Sequence, residues 1–153
     1  MPFGPEPLFD RAALQACPGD RRPRALVTGV HGFIGSYLCE ELLRRGVVVH
    51  AVDDLSTGHL GNLADAASDP ALRTTVASIE DLDTARRLCR DADVVFHLAG
   101  VVGVQRLADD PLEVMQRNLR CNESVVTAAA EQRVPILLTS SSEVYGDGPV
   151  PFR

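Results

Sequence analysis

Apolar and polar residues fall into blocks whose spacing alternates between two periods. An apolar run at residues 25–27 leads into a glycine-bearing turn at residues 28–35. Apolar residues then recur at helical spacing: Ile34, Leu38 and Leu42, flanked by Phe33 and Leu43. This predicts a strand over residues 24–28 and a helix over residues 32–45, with Ile34, Leu38 and Leu42 on its buried face. Arg44 and Arg45 suit the negative end of the helix dipole, and Gly46 stops the helix. A valine-rich run at residues 47–53 reads as a strand buried on both faces, the mark of a parallel sheet.

The alternation continues. A polar loop over residues 54–62 and a weak helical stretch to residue 68 precede a third strand at residues 73–79. A short helix is predicted at residues 82–90 and a fourth strand at residues 93–98, with Ala99-Gly100 turning out of it. A long helix over residues 111–132 carries Pro111 in its first turn, where its missing N–H costs nothing. A fifth strand is expected at residues 135–139. Strand, helix, strand, repeated, predicts an α/β fold: a doubly wound parallel sheet of about five strands with helices on both faces and right-handed crossovers. Residues 1–23 read as an extension, with a short amphipathic helix possible at residues 8–16, and residues 24–153 as the domain.

The turn at residues 28–35 is where chemistry is expected. Gly29, Gly32 and Gly35 are spaced three apart between a strand and a helix. The first permits a tight turn, the second lets backbone approach a pyrophosphate, and the third lets helix and strand pack closely. The helix start then offers free N–H groups and a positive dipole end to phosphate. Asp53 closes the next apolar run, where a carboxylate would hold an adenosine ribose and repel a 2′-phosphate. No arginine follows it directly, which favours NAD over NADP.

Composition narrows the classes. The chain has 153 residues, 45% of them hydrophobic, and a formal net charge of −6. One domain is expected, and the acidic balance argues against a nucleic-acid or anionic-membrane partner. No apolar run approaches a membrane span. Cys17, Cys39, Cys89 and Cys121 are far apart in sequence and read as buried or incidental thiols in a reducing, cytoplasmic setting, with no metal site. The chain contains no lysine, and Tyr37 and Tyr145 are its only tyrosines.

Five motifs occur in order: residues 28–35; residues 52–58, Val-Asp-Asp-Leu-Ser-Thr-Gly; residues 96–100, Phe-His-Leu-Ala-Gly; Asn118; and residues 139–147, Thr-Ser-Ser-Ser-Glu-Val-Tyr-Gly-Asp. Together they resemble the extended short-chain dehydrogenase/reductase family, and within it the NAD-dependent nucleotide-sugar epimerases, decarboxylases and dehydratases. The resemblance covers about residues 24–153. It implies a pyrophosphate turn of Gly29, Gly32 and Gly35 with backbone N–H groups of Phe33 and Ile34, and a ribose contact at Asp53. It also implies an adenine-side pair Ser78-Ile79, a strand exit of Leu98, Ala99 and Gly100 under the cofactor, and Asn118 tying strands four and five. Ser78 stands where the family often has aspartate. Ser141 matches the catalytic serine or threonine that would hydrogen-bond the reacting sugar oxygen. Glu143 resembles the decarboxylases and dehydratases more than many epimerases, whereas Ser142 replaces the aspartate usual in dehydratases. His97 matches a mostly structural position.

The family's Tyr-x-x-x-Lys pair, its proton-transfer apparatus, has no match here: Pro149 lies four residues past Tyr145, and Glu41 four past Tyr37. The chain is therefore expected to be the cofactor-binding half of a larger enzyme, without the C-terminal substrate region and inactive alone. The implied activity of the intact protein is UDP-hexose 4-epimerisation through a transient keto-sugar. The alternatives are a UDP-glucuronate decarboxylase or sugar dehydratase, a reductase of a non-sugar carbonyl, or a non-catalytic dinucleotide-binding module. A UDP-sugar is the expected partner, and a homodimer through the helix at residues 111–132 is possible by analogy. The apolar residues 135–138 are expected to lie exposed at a sheet edge and to favour self-association.

Overall fold

The first strand, β1 (Arg24–Thr28), is buried at every position after Arg24, so it lies inside a sheet with both faces covered. In the computed structural model, which describes residues 21–146, β1 pairs with β2 (Val48–Asp53) on one side and β4 (Val94–His97) on the other. β3 (Leu72–Val76) extends the sheet beyond β2, and β5 (Ile136–Leu138) extends it beyond β4. All pairings are parallel, in the order β3-β2-β1-β4-β5. The doubly wound parallel sheet expected from the alternating periods is the one observed. The chain leaves β1 toward β2 and β3, then crosses back to β4 and β5. Its order therefore reverses between β1 and β4, where an open α/β sheet leaves a crevice at its carboxyl ends.

The strand period places alternate residues in two cores. On one face Ala25 and Val27 of β1, Val49 and Ala51 of β2 and Phe96 of β4 pack with Cys39, Leu42 and Leu43 of helix α1 (Phe33–Arg44). On the other, Leu26, Val52 and Val95 meet two helices, α2 (Leu82–Cys89) and a long helix at Pro111–Gln132. Between α2 and that helix lies α3 (Val104–Asp109), so the long helix is α4. α2 begins at an Asp81 cap that accepts the Thr84 N–H at 2.8 Å, and α4 at an Asp110 cap that accepts the Glu113 N–H at 2.9 Å.

Several local expectations change. The buried side of α1 is Gly35, Ser36, Cys39, Leu42 and Leu43, while Phe33 and Ile34 are 76% and 65% exposed. The expected face holds at Leu38, Leu42 and Leu43 and fails at Phe33 and Ile34, because the first turn of α1 lines the crevice and only from Gly35 onward does the helix bury residues in the core. β3 stops at Val76, which leaves Ser78 and Ile79 on the turn beyond it. The stretch after residue 54 forms a single 3-10 turn, Leu60–Leu63. α3 was not anticipated. β5 is an edge strand among the described residues, yet Ile136 and Leu137 pack partly into the two cores, and only Leu138 is mostly apolar surface, at 46% exposure. Cys39, Cys89 and Cys121 are free and buried, and burial pushes their thiols up to about 12, 11 and 11; Cys17 lies outside the described residues.

Gly35 packs directly against the turn between β1 and α1. A Cβ there would lie 2.8 Å from Val30 Cα and closer still to the Gly29 carbonyl oxygen. Backbone cannot yield as a flexible side chain would, so Gly35→Ala is expected to cost about 2–3 kcal/mol. Urea denaturation of the variant checks this; an unchanged midpoint would contradict it.

Candidate functional site

Three strand ends and one helix start converge at the crevice. β1 ends at Thr28, and Gly29 turns the chain at φ +69°, donating its N–H to the Val52 carbonyl at 2.9 Å. Glycine is required here twice over. The left-handed backbone disfavours a side chain, and a Cβ would lie 2.7 Å from the Ala99 nitrogen on the exit of β4. Gly32 caps α1 without any side-chain hydrogen bond, and the first turn carries no acidic residue. The Ser36 N–H returns to Gly32 O at 3.1 Å, so those of Phe33, Ile34 and Gly35 precede the intrahelical ladder. A positive helix end lined by bare backbone suits an anion.

The Thr28 hydroxyl joins β1 to β4. It accepts the N–H groups of Leu98 at 3.2 Å and Ala99 at 3.1 Å, and it contacts His97 Nδ1 at 2.6 Å. With both its lone pairs used, the hydroxyl proton goes to Nδ1, which assigns the His97 proton to Nε2. Nε2 has no hydrogen-bond partner among the described residues. Burial pushes His97 down to about 4; the Asn122 side chain pulls the other way without reaching hydrogen-bond geometry. His97 is thus a neutral, 1% exposed core residue, as the bland reading of its position had it.

Asp53 closes β2 with a carboxylate 9% exposed. Its Oδ2 accepts the His31 N–H at 2.9 Å and its Oδ1 the Leu55 N–H at 2.8 Å. Leu55 takes a left-handed φ of 60° to make that bond, a backbone cost of roughly 1 kcal/mol held by the surrounding turn. Asp53 is therefore oriented from two sides while each oxygen keeps a further acceptor direction.

α4 fastens the strand exits from behind. Asn118 bonds both ways with Val101, its Oδ1 accepting the N–H at 2.7 Å and its Nδ2 donating to the carbonyl at 3.0 Å. Ser124 Oγ donates to the Ile79 carbonyl. Arg117 donates from Nε to Glu80 at 2.9 Å and from Nη2 to Asp54 at 2.6 Å, and Arg120 donates to Glu80 at 2.8 Å. Burial alone would raise both carboxyls, but the Ser56 and Arg117 hydrogen bonds on Asp54, and those of Arg120 and Arg117 on Glu80, hold each below the usual carboxylate range.

These parts enclose one cavity of about 390 Å³. The structure brings Gly29, Gly32, Phe33, Ile34, Gly35, Asp53, Ser78, Ile79, Leu98, Ala99 and Gly100 onto its wall. Asn118 is not on the wall; it anchors the segment after β4 rather than tying β4 to β5. Thr139 and Ser140 reach the wall, and Ser141 follows immediately outside it. Glu143 lies in the 3-10 turn Ser142–Tyr145, and its side chain is outside the described residues. Sequence reasoning passed over Thr28, Asp54 and Arg117, all on the wall. Thr28 borders the glycine turn and Arg117 borders Asn118, so adjacency to a motif was the available signal.

The glycine turn, open helix end and oriented carboxylate define a dinucleotide-type crevice. A family description, NAD dependent epimerase/dehydratase family, matches residues 25–153, and the chain belongs to that family. It is 34% identical over 131 residues to a UDP-N-acetyl-alpha-D-glucosaminuronate decarboxylase of Bacillus cytotoxicus, covering 86% of this chain and 40% of that one. It is 37% identical over 129 residues to a UDP-glucose 4-epimerase of Mycolicibacterium smegmatis, covering 82% and 41%. A dTDP-glucose 4,6-dehydratase from Streptomyces venezuelae, solved with NAD bound, superposes with a TM-score of 0.76 at 30% identity, covering 82% of this chain and 42% of that one. The chain thus spans about two fifths of the length of these relatives. NAD is the cofactor that membership of this family assigns to the domain.

The buried neutral His97 makes stability depend on pH. Between the ordinary histidine value of 6.5 and about 4, the unfolded chain binds a proton here that the folded chain refuses. The stabilisation is complete above 6.5 and is lost as pH falls to about 4. His50, lowered by burial and then by Arg73 and Arg87, acts in the same direction. Urea melts between pH 7 and 4 are expected to show a loss of about 3 kcal/mol from His97, reduced in His97→Gln. A flat profile over that window would contradict the assignment.

Proposed function

We propose that this chain is the NAD-binding domain of an NAD-dependent nucleotide-sugar epimerase acting on a UDP-hexose. The observation that carries the cofactor reading is that the uncapped start of α1 and the Asp53 carboxylate open onto the same cavity. The residues fit the group: a Cβ on Gly32 would meet only one protein atom, the Gly29 carbonyl oxygen at 3.2 Å, and its other side lies on the cavity wall, where the absence of a side chain leaves room for an incoming ligand. Gly29, Gly32 and Gly35, with the N–H groups of Phe33 and Ile34, would take the pyrophosphate. Asp53 would accept the adenosine ribose hydroxyls, and Ser78 and Ile79 would border the adenine. Leu98, Ala99 and Gly100 would pass beneath the cofactor, and Asn118 would act indirectly by holding Val101. NAD supplies reversible hydride acceptance. Ser141 would hold the reacting sugar oxygen, with Glu143 beside it.

The UDP-hexose assignment is supported by likeness to the mycobacterial epimerase. A second reading, a decarboxylase of a UDP-uronate, is favoured by Glu143 and by likeness to the Bacillus decarboxylase. Asymmetry in length supports the domain reading, since the relatives carry more than as many residues again as this chain matches. Dimerisation is supported by a stripe on α4, where Leu112, Met115, Leu119 and Val126 are all exposed. No helix among the described residues is long and apolar enough to cross a membrane.

Calorimetric titration tests the cofactor reading. NAD is expected to bind the 153-residue chain. Asp53→Ala is expected to weaken NAD about tenfold and to narrow the preference over NADP, because it removes both an acceptor pair and a repelling charge. Equal affinity of the unaltered chain for NADP would overturn the role given to Asp53. Incubation with UDP-glucose or UDP-galactose and NAD is expected to show no turnover. A substantial rate would overturn the reading of the chain as one domain of the catalyst, and binding without any enzyme activity in a polypeptide shown to end at Arg153 would favour a non-catalytic module.

A further inference from the structure

Beyond Asp53, the cavity wall runs to Ser78, Ile79 and Arg117, where the base of a dinucleotide would lie on the reading proposed above. Hydrogen-bond capacity at that end is lopsided. Besides Asp53, the wall carries the carboxylate of Asp54, each of whose oxygens accepts a hydrogen bond: Oδ1 from the Ser56 N–H at 2.9 Å and Oδ2 from Arg117 at 2.6 Å. Glu80 has one oxygen taken by Arg117 and the other by Arg120. The Ile79 carbonyl accepts from Ser124, and Ser78 Oγ accepts the Glu80 N–H at 3.2 Å. Each of these acceptors is already engaged once within the protein.

The donors keep hydrogens in reserve. A guanidinium carries five N–H groups in a plane. Arg117 commits Nε and one Nη2 hydrogen to Glu80 and Asp54, and its side chain is 20% exposed. The Glu80 hydrogen bond, against the opposing effect of burial, raises its affinity for its proton, so it is a fixed cation. The two carboxylates hold it at two different nitrogens, which orients the plane without consuming its remaining hydrogens. The Ser78 hydroxyl likewise has its proton to give.

We infer that Arg117, held by Asp54 and Glu80, is the residue that reads the base of the bound dinucleotide, and that it does so by donating to ring acceptors and stacking its cation on the purine face rather than by recognising an exocyclic amine. A purine presents ring nitrogens as acceptors and a π face, both of which suit a guanidinium. A 6-amino group needs an acceptor, and each acceptor named at this rim already serves a donor of the protein, so the amine would compete for it. Exchanging that amine for a carbonyl oxygen turns the 6-position into an acceptor and N1 into a donor, while N3, N7 and the π face stay available to the guanidinium. The site is therefore a purine-dinucleotide site with weak discrimination at the 6-position.

The test is calorimetric titration of the 153-residue chain with NAD and with nicotinamide hypoxanthine dinucleotide, in which the 6-amino group is replaced by oxygen. The two affinities are expected to agree within about threefold. Arg117→Lys keeps the charge opposite Asp54 and Glu80 but loses the planar fork, and is expected to weaken both ligands about tenfold with an unchanged melting temperature. Ser78→Asp adds an acceptor at the rim and is expected to shift the preference toward NAD by about tenfold. Strong NAD binding with the hypoxanthine compound more than about tenfold weaker would overturn the inference and leave the cofactor reading intact. So would Arg117→Lys binding both ligands as the unaltered chain does. Failure of both dinucleotides to bind would overturn the cofactor reading and this inference together.

Discussion

The contact of β1 with the exit of β4 is the constraint on which the crevice depends. Gly29 has no room for a Cβ because the Ala99 backbone rests on it, and the Thr28 hydroxyl immediately before it takes the N–H groups of both Leu98 and Ala99. One residue supplies the fastening and the next supplies the clearance. The two strand ends therefore leave the sheet in contact, and the cavity opens above that seam. Because the Thr28 hydroxyl donates to His97 Nδ1, the seam also orients a buried imidazole that burial keeps neutral. A turn, a strand exit and a core histidine thus share one hydroxyl.

α4 is the second support. A helix packed on the back of a sheet ordinarily contributes apolar burial, and Val125, Ala128 and Ala129 do so here. Its polar residues do something further. Asn118, Ser124 and Arg117 reach forward to the loops: Asn118 to the segment after β4, Ser124 to the turn after β3, and Arg117 to carboxylates after both β2 and β3. Loops at the carboxyl end of a parallel sheet have no ladder to hold them, so their positions depend on such contacts. The ion pairs are partly sheltered, which makes them more persistent than exposed pairs such as Arg44 with Glu41, where solvent screens the attraction.

Much of this was legible in the amino-acid sequence, for reasons that differ by element. Valine-rich runs such as residues 47–53 announce strands covered on both faces, and the alternation with helical spacing announces the parallel sheet. The glycines and Asp53 were legible because their demands are steric and local. The exposed first turn of α1 was not: period reports spacing, and only the crevice explains why Phe33 and Ile34 lie outside the core while Leu42 and Leu43 lie in it. α3 was hidden because its helix formers, Gln105, Arg106, Leu107 and Ala108, span little more than one turn, too short to display a period. Asn118 was placed in the right region with the wrong partner, since its contact with Val101 spans 17 residues that no local pattern encodes. Arg117 is harder still: its meaning comes from two carboxylates 63 and 37 residues away.

The central claim is that the glycine turn and the β4 exit together cradle a dinucleotide. An NMR titration of the isotopically labelled chain with NAD tests it most directly, because backbone amides report where the ligand touches. The account predicts shifts concentrated at Gly29, Gly32, Phe33, Ile34 and Gly35, joined by Leu98, Ala99 and Gly100 across the seam. Shifts confined to residues away from this crevice, or none at millimolar NAD, would contradict it.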